Sequence, residues 1–255
     1  MGDVLLIHAG IADSRMWRPQ LPVLTAAGYR VHAPDLRGFG QHPLETEPFS
    51  YVRDIEALLE RPCAVVGASL GGRVALELAV LRRDLVERLV LIAPGLSGWR
   101  WSDQTRAGWA EEDSAFQRGD RDAAAEASLQ LWIDRAGPPE SRLDPGTREL
   151  VREMVLRSYE LQATAWDNGA EETPALDPPI HERLREIRCP TLVIVGADDV
   201  DDMQAVASHL ARAIEDGSLV TVPSAAHLPS LEKPSDVNAT LLAFLGSDPE
   251  APRSA

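Results

Sequence analysis

The fold of this chain is decided by the stretch Cys63-Ala64-Val65-Val66-Gly67-Ala68-Ser69-Leu70-Gly71-Gly72. Its first four residues form an apolar run typical of a buried strand, and helical spacing begins at Arg73. The junction reads G-x-S-x-G, a sequence typical of a sharp strand-to-helix turn that exposes a serine hydroxyl. Such a turn brings the backbone on both sides of the serine together, so we expect Gly67 and Gly71 to have no room for a side chain. Small residues also follow strands merely to let a helix pack closely, so the motif needs support from the rest of the chain.

Length and composition restrict the class of protein. The chain has 255 residues, 44% of them hydrophobic and 25% charged, which suits one globular domain with a large core or one domain with a sizeable insertion. The net charge of −15 argues against nucleic acid as a partner, because a phosphate backbone needs a basic surface. No apolar run approaches the roughly 20 residues of a membrane span, and no basic-then-apolar leader precedes the first run. We therefore expect no membrane partner and a cytoplasmic location.

Six short apolar runs alternate with helical patterns along the chain. The runs cover residues 4–7, 30–33, 63–66, 89–92, 191–195 and 219–222. Most of them lack polar alternation, as do strands that are buried on both faces of a parallel sheet. Helical patterns between or after them include residues 51–60, 73–80, 203–214 and 237–245. The predicted fold class is therefore α/β, with a doubly wound, mostly parallel sheet of about six strands.

The alternation breaks once, over residues 96–187, where Ala, Glu and Arg recur at helical spacing. We interpret this segment as a helical cap inserted into a core domain of residues 1–95 and 188–246, and we expect the polar tail 247–255 to be frayed. Turn-forming residues divide the cap into several helices at Pro138-Pro139, Asp144-Pro145-Gly146 and Asp177-Pro178-Pro179. Some cap tryptophans are expected to pack its own core and one or two to line a pocket, without a choice among Trp99, Trp101, Trp109, Trp132 and Trp166.

Side chains suited to nucleophilic catalysis follow three of the predicted strands. Ser69 follows the third strand, Asp198 and Asp199 follow the fifth, and His227 follows the sixth. Ligands bind outside the carboxyl ends of the strands in such a sheet, so we expect these side chains on one rim. The order serine, acid, histidine is also the one that a G-x-S-x-G turn predicts.

The loop after the first strand reaches the same rim. We expect Gly10 in this loop to present a backbone N–H beside that of Leu70, and the two N–H groups to form an oxyanion hole. His8 is expected to support the loop and not to react.

The remaining polar and sulfur-containing residues are assigned structural roles. Cys63 and Cys189 are expected to be small buried thiols without a disulfide. Asp35 and Arg37 are expected to pair with each other and hold a loop. The acidic cluster at residues 198–202 lacks the calcium-loop pattern and is interpreted as a solvated turn that carries one catalytic carboxylate. No metal and no other cofactor is expected, because metal-ligand spacing does not occur among His32, His42, His181 and His209.

Taken together, the ordered segments resemble the α/β-hydrolase superfamily over essentially the whole chain. The segments that carry the resemblance are His8-Ala9-Gly10 with Ser14-Arg15-Met16-Trp17, Asp35-Leu36-Arg37-Gly38-Phe39-Gly40, the G-x-S-x-G turn, Val195-Gly196-Ala197-Asp198-Asp199, and Ala226-His227-Leu228-Pro229 with Glu232-Lys233-Pro234. Each segment is weak alone, but five in this order are specific. Ala9 departs from the glycine that this family usually has, and Gln41 from a frequent serine. The resemblance also implies that the antiparallel edge hairpin is missing, which leaves six strands instead of eight.

The resemblance implies a catalytic triad of Ser69, Asp199 and His227. The residues alone leave Asp198 and Asp199 open, and the resemblance selects Asp199, which lies three residues after the glycine that ends the strand. His227 would remove the proton of the serine, and the acid would fix the imidazole tautomer.

The implied activity is hydrolysis of a carboxylic ester or lactone through an acyl-enzyme, by a serine hydrolase of the carboxylesterase or lactonase class. The substrate would be a small to medium, partly apolar molecule, bound by residues that the sequence does not identify, and the protein would be a monomer or homodimer. Other Ser-His-Asp activities remain as alternatives: carbon–carbon bond hydrolysis, perhydrolysis and hydroxynitrile cleavage. A receptor-like homologue with little turnover is a further alternative from a different class. A serine in the G-x-S-x-G turn disfavours haloalkane dehalogenase and epoxide hydrolase activity, because the resemblance implies that those enzymes need aspartate at this position.

Overall fold

A parallel sheet forms the centre of the computed structural model, which describes residues 2–134, 143 and 145–247. Its strands are β1 (Asp3–Ile7), β2 (Arg30–His32), β3 (Cys63–Ala68), β4 (Val86–Ile92), β5 (Thr191–Gly196) and β6 (Gly217–Val222). Their order is β2-β1-β3-β4-β5-β6, and every neighbouring pair is parallel. The prediction of a six-stranded, doubly wound α/β sheet is confirmed.

Burial follows the position of each strand in the sheet. Every residue of β3 and β5 is buried, as the continuous apolar runs predict for strands covered on both faces. At the edges, β2 contains no buried residue and β6 contains one. The apolar runs therefore predicted the central strands most closely.

Nine helices connect or follow the strands within the described residues. They are α1 (Leu21–Ala26), α2 (Tyr51–Ala57), α3 (Leu70–Leu81), α4 (Asp103–Gln117), α5 (Arg121–Trp132), α6 (Pro145–Asp167), α7 (Asp201–Ala213), α8 (Pro229–Glu232) and α9 (Pro234–Leu245). The helix α3 packs on β1, β3 and β4, and α7 packs on β5 and β6. The path from β1 to β2 runs opposite to the path from β3 onward, so right-handed crossovers place α1 on the face opposite α3 and α7. No helix in the described ranges combines the length and the apolar character needed to cross a membrane.

The segment between β4 and β5 contains α4, α5 and α6, so the predicted helical insertion is confirmed. Its buried residues Leu129, Met154 and Val155 belong to the same hydrophobic cluster as the strands, so the insertion packs directly on the core. The division into a core domain and a cap at residues 96–187 stays a prediction. Pro138-Pro139 and the tail residues 248–255 lie outside the described residues.

The predicted pair of Asp35 and Arg37 is wrong. Arg37 instead makes two hydrogen bonds of 2.6 Å with the carboxylate of Asp54 on α2. The carboxylate of Asp35 accepts the backbone N–H groups of Ser14 at 2.8 Å and Gln41 at 3.0 Å. Asp35 thus holds two loops that follow β1 and β2, a role that its spacing from Arg37 does not reveal.

Candidate active site

The order of the strands reverses between β1 and β3, since the chain adds β2 on one side of β1 and then β3 on the other. Loops diverge at such a point and leave a crevice outside the carboxyl ends of the strands. The loop after β1 carries Gly10 and the turn after β3 carries Ser69, and both residues line a cleft of about 480 Å³.

Ser69 occupies a strained turn between β3 and α3. Its φ of 48° lies in the left-handed region, which costs a non-glycine residue about 1–3 kcal/mol. Backbone hydrogen bonds hold the turn: the Ser69 N–H donates to Ile92 at 2.9 Å, and the Ser69 carbonyl accepts from Gly95 at 2.9 Å. A Cβ on Gly67 would lie 2.2 Å from the carbonyl oxygen of Gly71, which accounts for the first small residue of the motif.

His227 lies between Ser69 and Asp199. Its Nε2 is 2.9 Å from the Ser69 Oγ, and its Nδ1 is 3.0 Å from the Asp199 Oδ2. The side chains of His227 and Asp199 are 1% and 0% exposed. An ionised carboxylate only accepts hydrogen bonds, so the Asp199 contact places the imidazole proton on Nδ1 and leaves Nε2 free to accept from the serine hydroxyl.

The two adjacent aspartates after β5 point in different directions. Asp199 is buried against the imidazole, whereas Asp198 is exposed and its backbone N–H donates to Ala225 at 2.9 Å. A Cβ on Gly196 would lie 2.1 Å from the carbonyl oxygen of Ala226. The absence of that Cβ lets the loop after β5 approach the loop that carries the histidine.

Glu232 fixes the loop around His227, a role that sequence reasoning missed. One of its carboxylate oxygens accepts the N–H of Ala226 at 2.8 Å, and the other accepts the N–H of Leu228 at 2.9 Å. The carboxylate therefore holds the backbone on both sides of the histidine. A glutamate five residues after a predicted base, in a segment that begins with proline, is the available sequence signal.

The residues expected to form the oxyanion hole lie side by side at the cleft. A Cβ built on Gly10 would be 3.5 Å from the Cβ of Leu70, and both residues line the cavity. Leu70 is the first residue of α3, where a backbone N–H has no acceptor within the helix. Its role toward a reacting oxygen stays a prediction.

His8 supports the loop that carries Gly10. Its Nδ1 lies 2.9 Å from the Ala9 carbonyl oxygen, which fixes the proton on Nδ1, and its Nε2 accepts the N–H of Leu36 at 2.9 Å. Burial lowers the pKa of His8, so the ring is neutral in this position.

Three tryptophans between β4 and β5 line the cleft with Ser69, where one or two were expected: Trp101, Trp109 and Trp132. The ring of Trp132 packs against the imidazole of His227, with centroids 4.2 Å apart and the two planes tilted by 34°. Trp99 lies elsewhere, with its ring 5.5 Å from His209, and the side chain of Trp166 is outside the description.

The acidic cluster after β5 is only partly the solvated turn that the sequence predicts, since Asp198 and Asp201 are exposed but Asp202, like Asp199, is buried. Asp202 is buried and accepts the hydroxyl of Ser102 at 2.6 Å and that of Thr105, which ties α7 to the first turn of α4. Burial pushes the pKa of Asp202 up, but these hydrogen bonds outweigh burial and hold its pKa below the usual range. Within the described ranges, no group of three or more His, Cys, Asp or Glu side chains has the arrangement of a metal site.

The fold and the geometry of the site define an α/β-hydrolase. The chain belongs to the alpha/beta hydrolase family, whose model matches residues 4–240. It is 30% identical to BpoC of Mycobacterium tuberculosis (strain H37Rv), over 96% of this chain and 95% of BpoC. It is 28% identical to the pimeloyl-acyl-carrier-protein methyl ester esterase of Nitrosospira multiformis, over 95% of this chain and 94% of that enzyme. A thermophilic esterase structure from Thermogutta terrifontis matches with a TM-score of 0.75 at 25% identity, over 96% of this chain and 90% of that one.

Proposed function

We propose that this protein hydrolyses a carboxylic ester or lactone through an acyl-enzyme on Ser69. The observation that carries the proposal is the hydrogen-bonded series from the Ser69 hydroxyl through His227 to the buried Asp199, which opens on a cleft. The names of two relatives, the Nitrosospira and Thermogutta esterases, support the ester class.

The proposed reaction has two halves. Ser69 Oγ attacks the carbonyl carbon while its proton passes to Nε2 of His227, and Asp199 stabilises the imidazolium that forms. The negative oxygen of the tetrahedral intermediate faces the N–H groups of Gly10 and Leu70, each of which contributes about 2.7–4 kcal/mol when such a donor is well placed. The leaving alcohol takes the proton from Nε2. Water then gives a proton to the same nitrogen while its oxygen attacks the acyl carbon. The bond to Ser69 Oγ breaks, the proton passes from Nε2 to Oγ, and the acid is released.

The test combines active-site labelling with a panel of esters and lactones of graded chain length. A fluorophosphonate is expected to label Ser69, as peptide mapping would report. Ser69→Ala and His227→Ala are each expected to lower kcat by about 10⁴-fold or more, and the double variant to lose little further, because the residues act as a unit.

Two outcomes would reject the proposal. Labelling at another residue would remove Ser69 from the mechanism. Specific labelling of Ser69 without turnover of any ester or lactone would transfer the site to another Ser-His-Asp activity or to a receptor-like function. The cytoplasmic location and the monomeric or homodimeric state stay predictions.

A further inference from the structure

The helix α4 turns one face toward the cleft that contains Ser69. Trp109, Glu112 and Asp113 lie at positions i, i+3 and i+4, which share a face of an α-helix, and all three line the cleft. Glu111 lies on the same helix but is exposed and does not line the cavity. The helix thus brings one indole and two carboxyl groups to the same space as the serine hydroxyl.

This face of α4 and the indole rings of Trp101, Trp109 and Trp132 form one wall of the cleft, which extends as far as the imidazole of His227. The ring centroids of Trp101 and Trp109 are 5.2 Å apart, and those of Trp109 and Trp132 are 6.3 Å apart. Trp132 in turn packs against the ring of His227. The face of an indole carries negative electrostatic potential, and of the aromatic side chains it attracts an ammonium group most strongly.

The charges on the wall have the same sign. None of the described residues that line the cleft is lysine or arginine. Glu112 is half-buried, and its carboxylate accepts the hydroxyl of Tyr159 at 2.5 Å. Burial raises the pKa of Glu112; the hydroxyl groups of Tyr159 and Ser128 lower it only in part, and nearby Asp113 raises it further. The two hydroxyl groups that lower the pKa of this carboxylate are neutral, and none of the described residues named as shifting its pKa is positively charged.

We propose, building on the function above, that the cleft selects an ester that carries an ammonium group, held by the indole wall and by Glu112 and Asp113. A cation there gains cation–π attraction from the tryptophans and charge attraction from the half-buried carboxylate of Glu112 and the exposed carboxylate of Asp113. An anionic substrate of the same shape is repelled by both carboxylates and meets no lysine or arginine side chain in the described lining. The wall thus sets the substrate charge, while Ser69, His227 and Asp199 act on the carbonyl.

The first test compares esters that differ only in charge. One pair consists of the acetate ester of a trimethylammonium alcohol and its isostere, in which tert-butyl replaces trimethylammonium. A second pair places the same two groups on the acyl side. We expect kcat/KM for the cationic member of at least one pair to exceed that of its isostere by about tenfold, the order of a desolvated cation–π contact. A ratio of one or less in both pairs overturns the inference, while turnover of the uncharged esters leaves the proposed hydrolase function standing.

Matched variants assign the preference to the wall. Glu112→Gln with Asp113→Asn is expected to bring the cationic-to-neutral ratio of kcat/KM close to one, because the two removed charges act on the cationic ester. Glu111→Gln changes the same charge on the same helix outside the cleft and is expected to keep the ratio. An unchanged ratio in the double variant, or an equal loss in Glu111→Gln, overturns the role of the wall.

A stability readout separates recognition from a structural role. Because burial raises the pKa of Glu112, its ionised form opposes folding, and stability is lost as pH rises from the ordinary value of 4.5 through the raised pKa. Glu112→Gln is therefore expected to keep or raise the melting temperature at neutral pH while the cationic preference falls. A clear fall in melting temperature would make Glu112 a structural residue and overturn its role in binding.

A binding measurement does not depend on turnover. In Ser69→Ala protein, an alkyl trimethylammonium ion is expected to quench the fluorescence of the cleft tryptophans at lower concentration than its tert-butyl isostere. Ammonium binding without hydrolysis of any ester would reject the hydrolase function and keep the cationic site. Equal quenching by both compounds would overturn the cationic site.

Discussion

The indole ring of Trp132 lies over the imidazole ring of His227, with centroids 4.2 Å apart and an interplanar angle of 34°. The Trp132 carbonyl oxygen also accepts the backbone N–H of His227 at 3.3 Å. Trp132 ends α5 in the inserted helical segment, whereas His227 follows β6 in the sheet. The insertion therefore contacts the candidate base directly, in addition to forming a wall of the cleft.

This ring contact predicts that Trp132 positions His227. Trp132→Leu removes the flat ring that limits the tilt of the imidazole, and we expect kcat on an uncharged ester to fall by about tenfold, since small misplacements of a reacting group are costly. Trp132→Phe keeps a flat ring and is expected to restore most of kcat. Steady-state kinetics of both variants separate kcat from KM. A change in KM alone, or no rescue by phenylalanine, would reduce Trp132 to a cleft-lining residue.

The adjacent aspartates offer a matched pair for the role of the acid. Asp199→Asn replaces the acceptor at Nδ1 with an amide that also donates, so the imidazole can adopt the wrong tautomer, and kcat is expected to fall by up to roughly 10⁴-fold. Asp198→Asn changes an exposed carboxylate one residue away and is expected to leave kcat within about twofold. Melting temperatures of both variants check that the fold is intact. A large loss in Asp198→Asn with normal turnover in Asp199→Asn would contradict the assignment.

The G-x-S-x-G turn has no room for a Cβ at Gly71, and the cost of adding one can be measured as a loss of stability. A Cβ on Gly71 would lie 2.2 Å from the carbonyl oxygen of Ile7 and 2.6 Å from that of His8, and neither backbone atom can move without shifting β1. We expect Gly71→Ala to lower the free energy of unfolding by about 3 kcal/mol, at the upper end for overpacking. Gly2→Ala serves as the control, because a Cβ there meets nothing within 4 Å. Equal denaturant midpoints for the two variants would refute this account of the motif.

Features that depend on local sequence were predictable. The central strands β3 and β5 are buried along their whole length, so their apolar runs carry an unambiguous signal. Ser69 and His227 follow strands of one sheet, and the rule for the carboxyl ends of parallel strands is enough to bring them together. The choice of Asp199 came from resemblance, and the geometry places Asp199 against the imidazole.

Features that depend on packing between distant segments were not predictable. Trp132 and His227 are far apart in sequence, and their contact depends on how α5 lies on the sheet. Arg37 pairs with Asp54 because folding brings α2 next to the loop after β2. The carboxylate of Asp35 instead accepts two backbone N–H groups. The burial of Asp202 was not predicted because it arises only when Ser102 and Thr105, at the start of α4, approach the start of α7. The spacing of Trp109, Glu112 and Asp113 was a readable signal for a shared helix face, although not for the cavity that this face borders.

The buried histidine beside the oxyanion loop predicts a dependence of stability on pH. Burial lowers the pKa of His8 from its ordinary value of 6.5, and the weaker opposing effects of the Ala9 carbonyl, Asp35 and Asp13 do not restore it. Protonation would place a hydrogen on Nε2, which accepts the N–H of Leu36, so two N–H groups would face each other. The folded state therefore resists a proton that the unfolded chain takes up readily.

The sign of the effect follows from that difference. Because the pKa of His8 is lower in the folded state, its contribution is fully present above the ordinary value of 6.5 and is lost as pH falls below that value toward the lowered pKa. Over this window the free energy of unfolding is expected to fall with a slope that approaches about 1.4 kcal/mol per pH unit. His8→Gln keeps a side-chain donor and acceptor but cannot ionise, so its unfolding free energy is expected to lose this slope.

His209→Gln serves as the comparison, since burial also lowers the pKa of His209 but the ring is only half-buried, and a smaller change is expected. Denaturant titrations of the wild type and the two variants between about pH 7 and about pH 5 measure how the differences in unfolding free energy depend on pH. A wild-type minus His8→Gln difference that does not vary with pH would show that His8 takes up a proton equally in both states.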